Sequence, residues 1–488
     1  MRNVLVAVIF GSLAVACGNP SGPRSGLNIL SGDNMSDTVG SVLHPPLTVE
    51  LLDGDLQPIS GDTVYFSSGG PVLVAPINDP GFVINRLPAI TDASGQAAVW
   101  VEFKTSVAPG VVTASANGQA VQAHYTVLPG SAAHVRADPS DTALYVGGTE
   151  TFRPYITDAY GNRRSDTPTY QYTNLSSALS VSTSGKATGV TFGRGSVALT
   201  ALGFTDTLWV SVVPKGRVAA LQGPGLPGYV VVTNLDGSSF DTIPRSLFLI
   251  GSTLDWSPVG DTLVLDAYTP RTLVTIDLAG QVTRVFTSSP LLNQYYPRYA
   301  HDRSYVYFTG IDAVTRCYGL WRVRPAGTSL EHVVTDTIAC PQFLYDPPDP
   351  HPDFSSSPSP DGTQLVYAGR TLRKRTLATA ADTSLGVVGD FPRWSPTGEW
   401  IAYDSVGTLM LIHPDASGQV ALLKRHEAEA SLPGPVPGVA WSPDGQWILY
   451  WGYEQPARWG GLTLVQVATG LTLPLRFASG LTWPAWQP

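Results

Sequence analysis

Apolar and polar positions alternate in short runs from Leu27 to Pro488, and Gly, Pro, Ser, Asn and Asp separate the runs. A period of two predicts β-strands with one buried face, because successive side chains of a strand point to opposite sides. Nothing in this range has the spacing of a long amphipathic helix. The pattern therefore predicts an all-β protein built from many short strands and tight turns.

A ten-residue repeat is the strongest pattern in the second half of the chain. Four good copies begin at Trp256, Pro358, Trp394 and Trp441, a degenerate copy begins at Tyr299, and the start of a sixth is Pro484–Trp486. The anchor positions 256, 299, 358, 394, 441 and 486 are 43, 59, 36, 47 and 45 residues apart. This spacing is typical of the four-stranded blades of a β-propeller.

The repeat has the composition of a turn between two strands. In Ser-Pro-Asp-Gly, Pro restricts φ, Asp accepts local hydrogen bonds, and Gly accepts a positive φ. Asp361 and Asp444 are therefore interpreted as turn formers and not as a pair of catalytic carboxylates. The repeat phase of the tryptophans favours packing between blades over stacking against a carbohydrate.

These motifs resemble the WD40-like PD40 repeat of TolB-like propellers, over Gly216–Pro488. The resemblance implies a six-bladed propeller whose first blade is split: the terminal Leu481–Trp486 returns to complete the sheet begun at Arg217–Gln222. TolB-like propellers bind envelope partners, which implies a binding role. TolB itself has an α/β domain where this chain has β-rich segments, so its particular partners are not carried over.

Two segments before the propeller resemble bacterial Ig-like domains. The first resembles the invasin/intimin type through Gly61–Phe66 and Thr91–Ala97, and the second resembles the group-two type through Gly148–Phe152 and Ser184–Gly189. The expected fold is two N-terminal Ig-like β-sandwiches followed by a six-bladed β-propeller. The expected organisation is a leader (1–17), a flexible tether (18–26), two Ig-like domains (27–129 and 130–215) and the propeller (216–488).

The first residues resemble the signal peptide of a bacterial lipoprotein. Arg2 precedes an apolar run, Val4–Ala16, which is too short to span a bilayer, and Ala14-Val15-Ala16-Cys17 is similar to a lipobox. Cys17 is then the expected lipid-attachment site, with plain secretion and a retained anchor as alternatives. Gly18 follows it in place of the Asp that signals inner-membrane retention, so the expected location is the cell envelope, with the outer membrane favoured.

Charge and cysteine content narrow the class further. A net charge of −9 argues against nucleic acid as a partner, since nucleic-acid-binding surfaces are usually basic. The two cysteines beyond the leader, Cys317 and Cys340, are predicted to form a disulfide, because a pair of cysteines in an exported chain is first interpreted that way.

No motif indicates a catalytic site, a metal site or a cofactor. The eight histidines are scattered without ligand spacing, and no GxSxG motif occurs. Trp451, Tyr453 and Trp459 surround the loop Glu454–Arg458 and are the candidate ligand-contact residues.

The leading hypothesis is therefore a non-enzymatic envelope protein. Its propeller loops or central channel would bind a protein, peptide or glycan, and the Ig-like domains would act as a spacer. The alternatives are a metal-dependent propeller hydrolase or lyase, and an adhesin that binds through its Ig-like domains.

Overall fold

The computed structural model describes residues 25–222, 229–244, 253–268, 271–285, 290–335, 355–424, 438–452, 461–475 and 480–488. Every regular element in those residues is a β-strand, which confirms the predicted all-β class. Within the same residues, none of the structure is a helix that could cross a membrane. The chain divides into two compact units, one formed by 1–138, 153–171 and 199–206 and the other by 139–152, 172–198 and 207–488.

The first unit contains two sheets that pack on one core. Its strands in this region are β1 (Gly26–Ser31), β2 (Met35–Thr38), β3 (Leu47–Leu52), β4 (Thr63–Gly69), β5 (Val72–Pro76), β6 (Arg86–Ile90), β7 (Gln96–Phe103), β8 (Pro109–Ala116) and β9 (Gln119–Leu128). The sheet orders are β1-β3-β7-β5 and β2-β9-β8-β4-β6. Alternate residues of β7 and β8 are buried, and Phe66, Val99 and Val112 belong to the shared apolar core. The two sheets therefore form a β-sandwich.

The next nine strands form three smaller sheets. They are β10 (His134–Asp138), β11 (Asp141–Tyr145), β12 (Thr149–Thr151), β13 (Arg153–Thr157), β14 (Gln171–Asn174), β15 (Leu179–Val181), β16 (Lys186–Gly189), β17 (Gly193–Ala201) and β18 (Phe204–Val213). Strands β10 and β13 pair within the first unit, and the other sheets have the orders β12-β16-β15 and β11-β18-β17-β14. The hairpin of β17 and β18 is divided between the units, because residues 199–206 belong to the first.

Six four-stranded antiparallel sheets follow in the described part of residues 217–486. The first sheet contains β19 (Arg217–Gln222), β20 (Tyr229–Asn234), β21 (Phe240–Thr242) and β42 (Leu481–Trp486). The second and third contain β22 (Leu254–Trp256), β23 (Thr262–Tyr268), β24 (Arg271–Asp277), β25 (Val282–Arg284), β26 (Leu291–Tyr299), β27 (Val306–Asp312), β28 (Tyr318–Val323) and β29 (Glu331–Thr335). The remaining three contain β30 (Ser356–Pro358), β31 (Gln364–Tyr367), β32 (Arg373–Thr376), β33 (Ala381–Ser384), β34 (Asp390–Trp394), β35 (Ile401–Ser405), β36 (Thr408–Ile412), β37 (Val420–Lys424), β38 (Val439–Trp441), β39 (Trp447–Gly452), β40 (Gly461–Gln466) and β41 (Thr472–Pro474).

The first of these sheets joins strands from the two ends of the region. β42 pairs antiparallel with β19, with Trp486 opposite Val218 and Leu481 opposite Gln222. The predicted return of the terminal strand to this sheet is thus confirmed. The pairing ties the last residues of the chain to a strand more than two hundred residues earlier, which closes the region on itself.

The innermost strands of the six sheets contact one another in sequence. β42 contacts β22, and the contacts continue through β26, β30, β34 and β38 back to β42. This closed set of sheets, β19 to β42, is called the six-sheet ring below. Several small antiparallel sheets in such a circuit fit a β-propeller.

The repeat turns have the geometry that their residues predict. The φ angles of Gly362 and Gly445 are 72° and 70°, values that a side chain would make unfavourable. In one of these turns the carboxylate of Asp444 accepts hydrogen bonds from the hydroxyl of Ser442 (2.5 Å) and the N–H of Gln446 (3.0 Å). Asp361 makes the equivalent bonds in its own turn, so both aspartates are turn formers as predicted.

Candidate ligand pocket

A cavity of ≈ 180 Å³ lies where the innermost strands of the six-sheet ring end in their repeat turns. Each of the six sheets contributes to its wall. The six anchor residues of the repeat all line it: Trp256, Tyr299, Pro358, Trp394, Trp441 and Trp486. A single concave site supplied by all six sheets is the default ligand-binding candidate in a closed β-structure.

The anchor tryptophans also pack between neighbouring sheets, as their repeat phase predicts. The indole N–H of Trp256 in the second sheet donates to the carbonyl of Ala485 in the first (3.0 Å). The indole N–H of Trp441 in the sixth sheet donates in the same way to the carbonyl of Arg393 in the fifth (3.0 Å). These rings are nearly buried, so they present a fixed apolar wall to the pocket.

The residue before each anchor forms the next layer below the wall. In sheet order these residues are Ala485, Asp255, Arg298, Ser357, Arg393 and Ala440. Nη2 of Arg393 donates to Oδ1 of Asp255 at 3.1 Å. The two residues belong to the fifth and second sheets, which are three steps apart in the ring, so the ion pair crosses its centre. We call Asp255 and Arg393 the floor pair of the pocket.

Each member of the floor pair has one further support. The other carboxylate oxygen of Asp255 accepts the N–H of Tyr299 (3.0 Å), and Nε of Arg393 donates to the carbonyl of Val439 (3.2 Å). The side chains are 18% and 13% exposed, and both line the pocket. The floor is therefore polar and partly open to solvent, whereas the wall is aromatic.

A second arginine lies beside the floor pair and is more deeply buried. Nη1 of Arg298 donates to the carbonyls of Leu254 (3.2 Å) and Pro297 (2.8 Å). Burial, together with the nearby charge of Arg393, lowers the pKa of this guanidinium to about 9, although Asp255 and Asp266 act in the opposite direction. Two cations and the carboxylate of Asp255 thus meet in one layer.

Three aromatic residues lie deeper along the same innermost strands. Tyr296, Phe391 and Trp483 come from alternate sheets, and each precedes a proline. Their φ angles are 53°, 52° and 51°, a left-handed conformation that is uncommon for residues other than glycine. The ring centroids of Phe391 lie 5.3 Å from those of Tyr296 and 5.6 Å from those of Trp483. The rings thus connect innermost strands of the third, fifth and first sheets through aromatic contacts.

A pair of carboxylates, one partly buried and one buried, lies at the other end of β34. Asp390 and Asp404 are register partners on β34 and β35. Burial, together with the charge of Asp404, raises the pKa of Asp390 to about 6. Asp404 accepts hydrogen bonds from the N–H of Gly407 (3.0 Å) and the hydroxyl of Tyr450 (3.2 Å). The pair is not part of the pocket wall.

Of the three ligand-contact candidates from the sequence, the structure describes Trp451 alone. Trp451 is 5% exposed, belongs to the core between the sixth and first sheets, and lies 6.2 Å from Trp483 between ring centroids. It does not line the pocket. Tyr453 and Trp459 lie outside the described residues, so a role for their loop stays a prediction.

The cysteine and metal predictions have separate outcomes. Cys317 is disulfide-bonded. Its predicted partner Cys340 lies outside the described residues, as does the predicted lipid-attachment residue Cys17, so that pairing and the anchor stay predictions. In the part of the chain that the structure describes, no group of three His, Cys, Asp or Glu side chains is arranged to hold a metal ion.

The sequence contained a signal for the floor pair that the motif search did not use. In three of the six sheets the residue before the anchor is small and uncharged, but it is Asp255 in one sheet and Arg298 or Arg393 in two others. His301 is a second departure from the repeat, since it lines the pocket where Pro258, Pro396, Pro443 and Pro488 stand in other blades. Residues that break a structural repeat at a position facing a cavity are candidates for function, because packing does not require them.

Comparisons with known proteins identify no family. No protein-family model matches the chain, and no curated protein matches its sequence.

Among solved structures, TolB from Acinetobacter baumannii has a TM-score of 0.45 at 13% identity, covering 73% of this chain and 100% of that one. A putative TolB from Agrobacterium tumefaciens has a TM-score of 0.40 at 14% identity, covering 57% and 100%. An oligogalacturonate lyase in complex with manganese has a TM-score of 0.32 at 15% identity, covering 54% and 74%. With TM-scores below 0.5, these similarities carry no argument about function, and the fold and the pocket rest on this chain's own strand pairing and side chains.

Proposed function

We propose that this chain is a non-enzymatic cell-envelope binding protein whose ligand enters the pocket above the floor pair. The observation that carries the proposal is the convergence of all six sheets on one cavity with an aromatic wall and a charged floor. Rigid aromatic surfaces with a few fixed polar groups are typical of binding sites, because the wall contributes apolar contact and the polar groups orient the ligand. The ligand in this proposal is a protein, peptide or glycan.

In the proposed architecture the six-sheet ring is a six-bladed propeller. Its support is the closed circuit of innermost strands and the pairing of β42 with β19, which leaves the circuit without a gap. A closed ring holds its inner residues rigidly, since every sheet is packed on two neighbours. Such a frame keeps Asp255 and Arg393 in place before any ligand arrives, which lowers the entropic cost of binding.

The segments before the ring are proposed to be Ig-like domains that act as a spacer. The sandwich of residues 26–128 supports this for the first domain, because two sheets share one apolar core. The smaller sheets β10–β18 support a second domain of the same kind. The proposed lipid on Cys17 would attach the chain to the outer membrane, and its support is the sequence Ala14–Cys17.

The hydrogen bonds that the carboxylate of the pocket already accepts favour binding over catalysis. Asp255 already accepts hydrogen bonds at both oxygens, from Arg393 and from Tyr299. A carboxylate held in this way is poorly suited to act as a general base, since proton abstraction requires a free oxygen within reach of the substrate. The carboxylate of Asp255 is instead held so that it presents a fixed polar surface to a ligand.

The test uses the full chain, purified in detergent, to capture partners from an envelope extract of the cells that make it. Three baits are compared: the unmodified chain, Arg393→Gln, and Arg375→Gln. Arg375 is a matched control because it forms an ion pair with Asp382 on the outer strands β32 and β33, away from the pocket. We expect the unmodified chain and Arg375→Gln to retain a specific partner that Arg393→Gln loses.

The same preparations are assayed for metal. A partner retained equally by all three baits would place binding outside the pocket. A stoichiometric metal without any partner would contradict the binding proposal and favour a metal-dependent hydrolase or lyase.

A further inference from the structure

Arg393 of the floor pair has N–H donors that no described residue accepts. Arg393 is held at Nε by the carbonyl of Val439 and at Nη2 by Asp255, and Nη1 makes no hydrogen bond to any described residue. A guanidinium has five N–H donors, and these two bonds use two of them. The donors of Arg393 that remain lie on the partly exposed, pocket-lining side chain.

The charges around Arg393 favour an anion as the incoming group. Among the described residues Asp255 is its one charged hydrogen-bond partner, and the second cation, Arg298, lies close enough for the charge of Arg393 to help lower the pKa of Arg298. Asp266 is the further carboxylate near Arg298, but it is fully buried, and the N–H of Thr253 donates to it. Among the described residues that line the pocket, the ionisable groups are therefore the guanidinium of Arg393, the carboxylate of Asp255 and the imidazole of His301.

Asp255 holds Arg393 through one oxygen only. The contact is a single 3.1 Å hydrogen bond from Nη2, whereas a guanidinium can engage a carboxylate through two parallel bonds. The second oxygen of Asp255 is held by the backbone N–H of Tyr299, so the side chain stays anchored when the first contact is given up. A carboxylate from outside could therefore take a two-point contact on Arg393 without leaving Asp255 unsupported.

We propose that the pocket binds a carboxylate of a peptide or protein partner, and that Asp255 occupies part of its place on Arg393 until the partner arrives. This rests on the proposed binding function of the pocket and adds the chemistry of the ligand. The aromatic wall fits an apolar group next to that carboxylate, as at a hydrophobic chain terminus or beside an acidic side chain. The ligand's carboxylate and Asp255 then compete for one guanidinium.

The competition gives the two members of the pair opposite expected effects. Arg393→Gln removes the charge that holds the ligand and should weaken carboxylate binding by about tenfold or more. Asp255→Asn removes the internal competitor and keeps an oxygen for the N–H of Tyr299, so carboxylate binding should tighten by about threefold to tenfold. A pair that only braces the ring would not tighten binding in either variant.

The experiment measures binding to the full chain in detergent by isothermal titration calorimetry. The probes are phenylacetate and phenylacetamide, which have nearly the same shape and differ in charge. We expect phenylacetate to bind with a Kd of about 1 mM and the amide to bind more weakly by about tenfold. Asp382→Asn is the control for Asp255→Asn, because Asp382 also accepts from an arginine on the same kind of sheet but lies outside the pocket.

Three peptides then distinguish the source of the carboxylate: Ala-Ala-Leu-Phe with a free terminus, the same peptide amidated, and amidated Ala-Glu-Leu-Phe. Selective binding of the first indicates a chain terminus, and selective binding of the third indicates an acidic side chain. Equal binding of all three, equal binding of phenylacetate and its amide, or no tightening in Asp255→Asn would overturn the inference. Arg393-dependent capture of a partner in the pull-down would still support the binding function after any of these results.

Discussion

The sandwich of residues 26–128 and the six-sheet ring bury different kinds of side chain. Among the described residues of the sandwich, the buried set is almost entirely aliphatic and aromatic, and Thr91 is its buried polar member. The ring buries several polar and charged residues, including Asp266, Gln294, Arg298 and Asp404. Both regions are all-β and both alternate buried and exposed positions, so strand pattern alone does not explain the contrast.

The contrast is consistent with the proposed placement of the binding site in the ring. Burying a charge is unfavourable unless it is paired and hydrogen-bonded, and an apolar residue of similar size would often stabilise the fold as well or better. Packing alone explains the apolar composition of the sandwich core. The charges beside the floor pair are consistent with the proposed binding role, since ionisable groups with perturbed pKa values concentrate at functional sites.

The largest expected effect on stability tests whether the sandwich is stabilised by the volume of its buried apolar side chains. Phe66 is fully buried in its core, and its neighbour Tyr65 on the same strand is 41% exposed. Phe66→Ala should lower the free energy of unfolding of this unit by about 3–5 kcal/mol, because it removes buried apolar area and leaves a cavity. Tyr65→Ala should cost less than about 1 kcal/mol. Urea unfolding followed by circular dichroism measures both, and equal losses would show that the core is not tightly packed.

An intermediate effect on stability concerns the partly buried carboxyl group of Asp390 in the ring. The folded-state pKa of Asp390 is raised to about 6, so its contribution to stability is present below the ordinary pKa of 3.8 and is lost as pH rises through 6. Asp390→Asn should remove that loss and be more stable than the parent near pH 8 by about 1–2 kcal/mol, after allowance for partial exposure. Urea unfolding at several pH values between about 4 and 8 measures the difference.

Asp158 in the first unit provides the control with the opposite sign. Burial would raise its pKa, but hydrogen bonds from Asn162, Gly130 and Tyr160 outweigh burial and lower the pKa below 3.8. Its contribution is therefore present above the ordinary pKa and lost as pH falls through the lowered value. Asp158→Asn should destabilise the protein at neutral pH. The same sign for both variants would contradict the assignment of their environments.

The smallest expected effect tests the repeat turns. Gly362 has a φ of 72°, and an added Cβ would meet nothing within 4 Å, so only backbone conformation opposes a substitution. Gly362→Ala should cost about 1 kcal/mol. Gly54, which also has open space around it and no positive φ, is the control in the sandwich, and Gly54→Ala should be neutral or slightly stabilising. Thermal unfolding compares the two, and an equal response would remove the conformational explanation.

Much of the fold could be predicted from the sequence because its signals are local. Alternating residues predicted strands, and the Ser-Pro-Asp-Gly turns predicted positive φ at Gly362 and Gly445, as found. The sixth partial repeat at Pro484–Trp486 predicted that the last strand completes the sheet of β19, and the register confirms this. The assignment of the earlier sheets to Ig-like domains and the domain boundaries stay predictions.

The pocket could be predicted only in part. The sequence identified the anchors but interpreted them as packing residues alone. Of its candidate ligand contacts, Trp451 is buried and does not line the cavity, and the roles of Tyr453 and Trp459 stay predictions. Asp255 and Arg393 are 138 residues apart, and neither has a motif around it beyond the repeat. Their meeting depends on which sheets face each other across the ring.

The sequence by itself therefore determined the strands, the turns, the repeat and the closing strand, since each depends on residues close together or on a repeated pattern. The tertiary structure decided that six anchors share one wall and that an aspartate and an arginine from opposite sheets form its floor. The physical reason is the separation along the chain over which each interaction acts. Turn chemistry and alternation act over a few residues, whereas the contact between Asp255 and Arg393 exists only after the six sheets have closed into a ring.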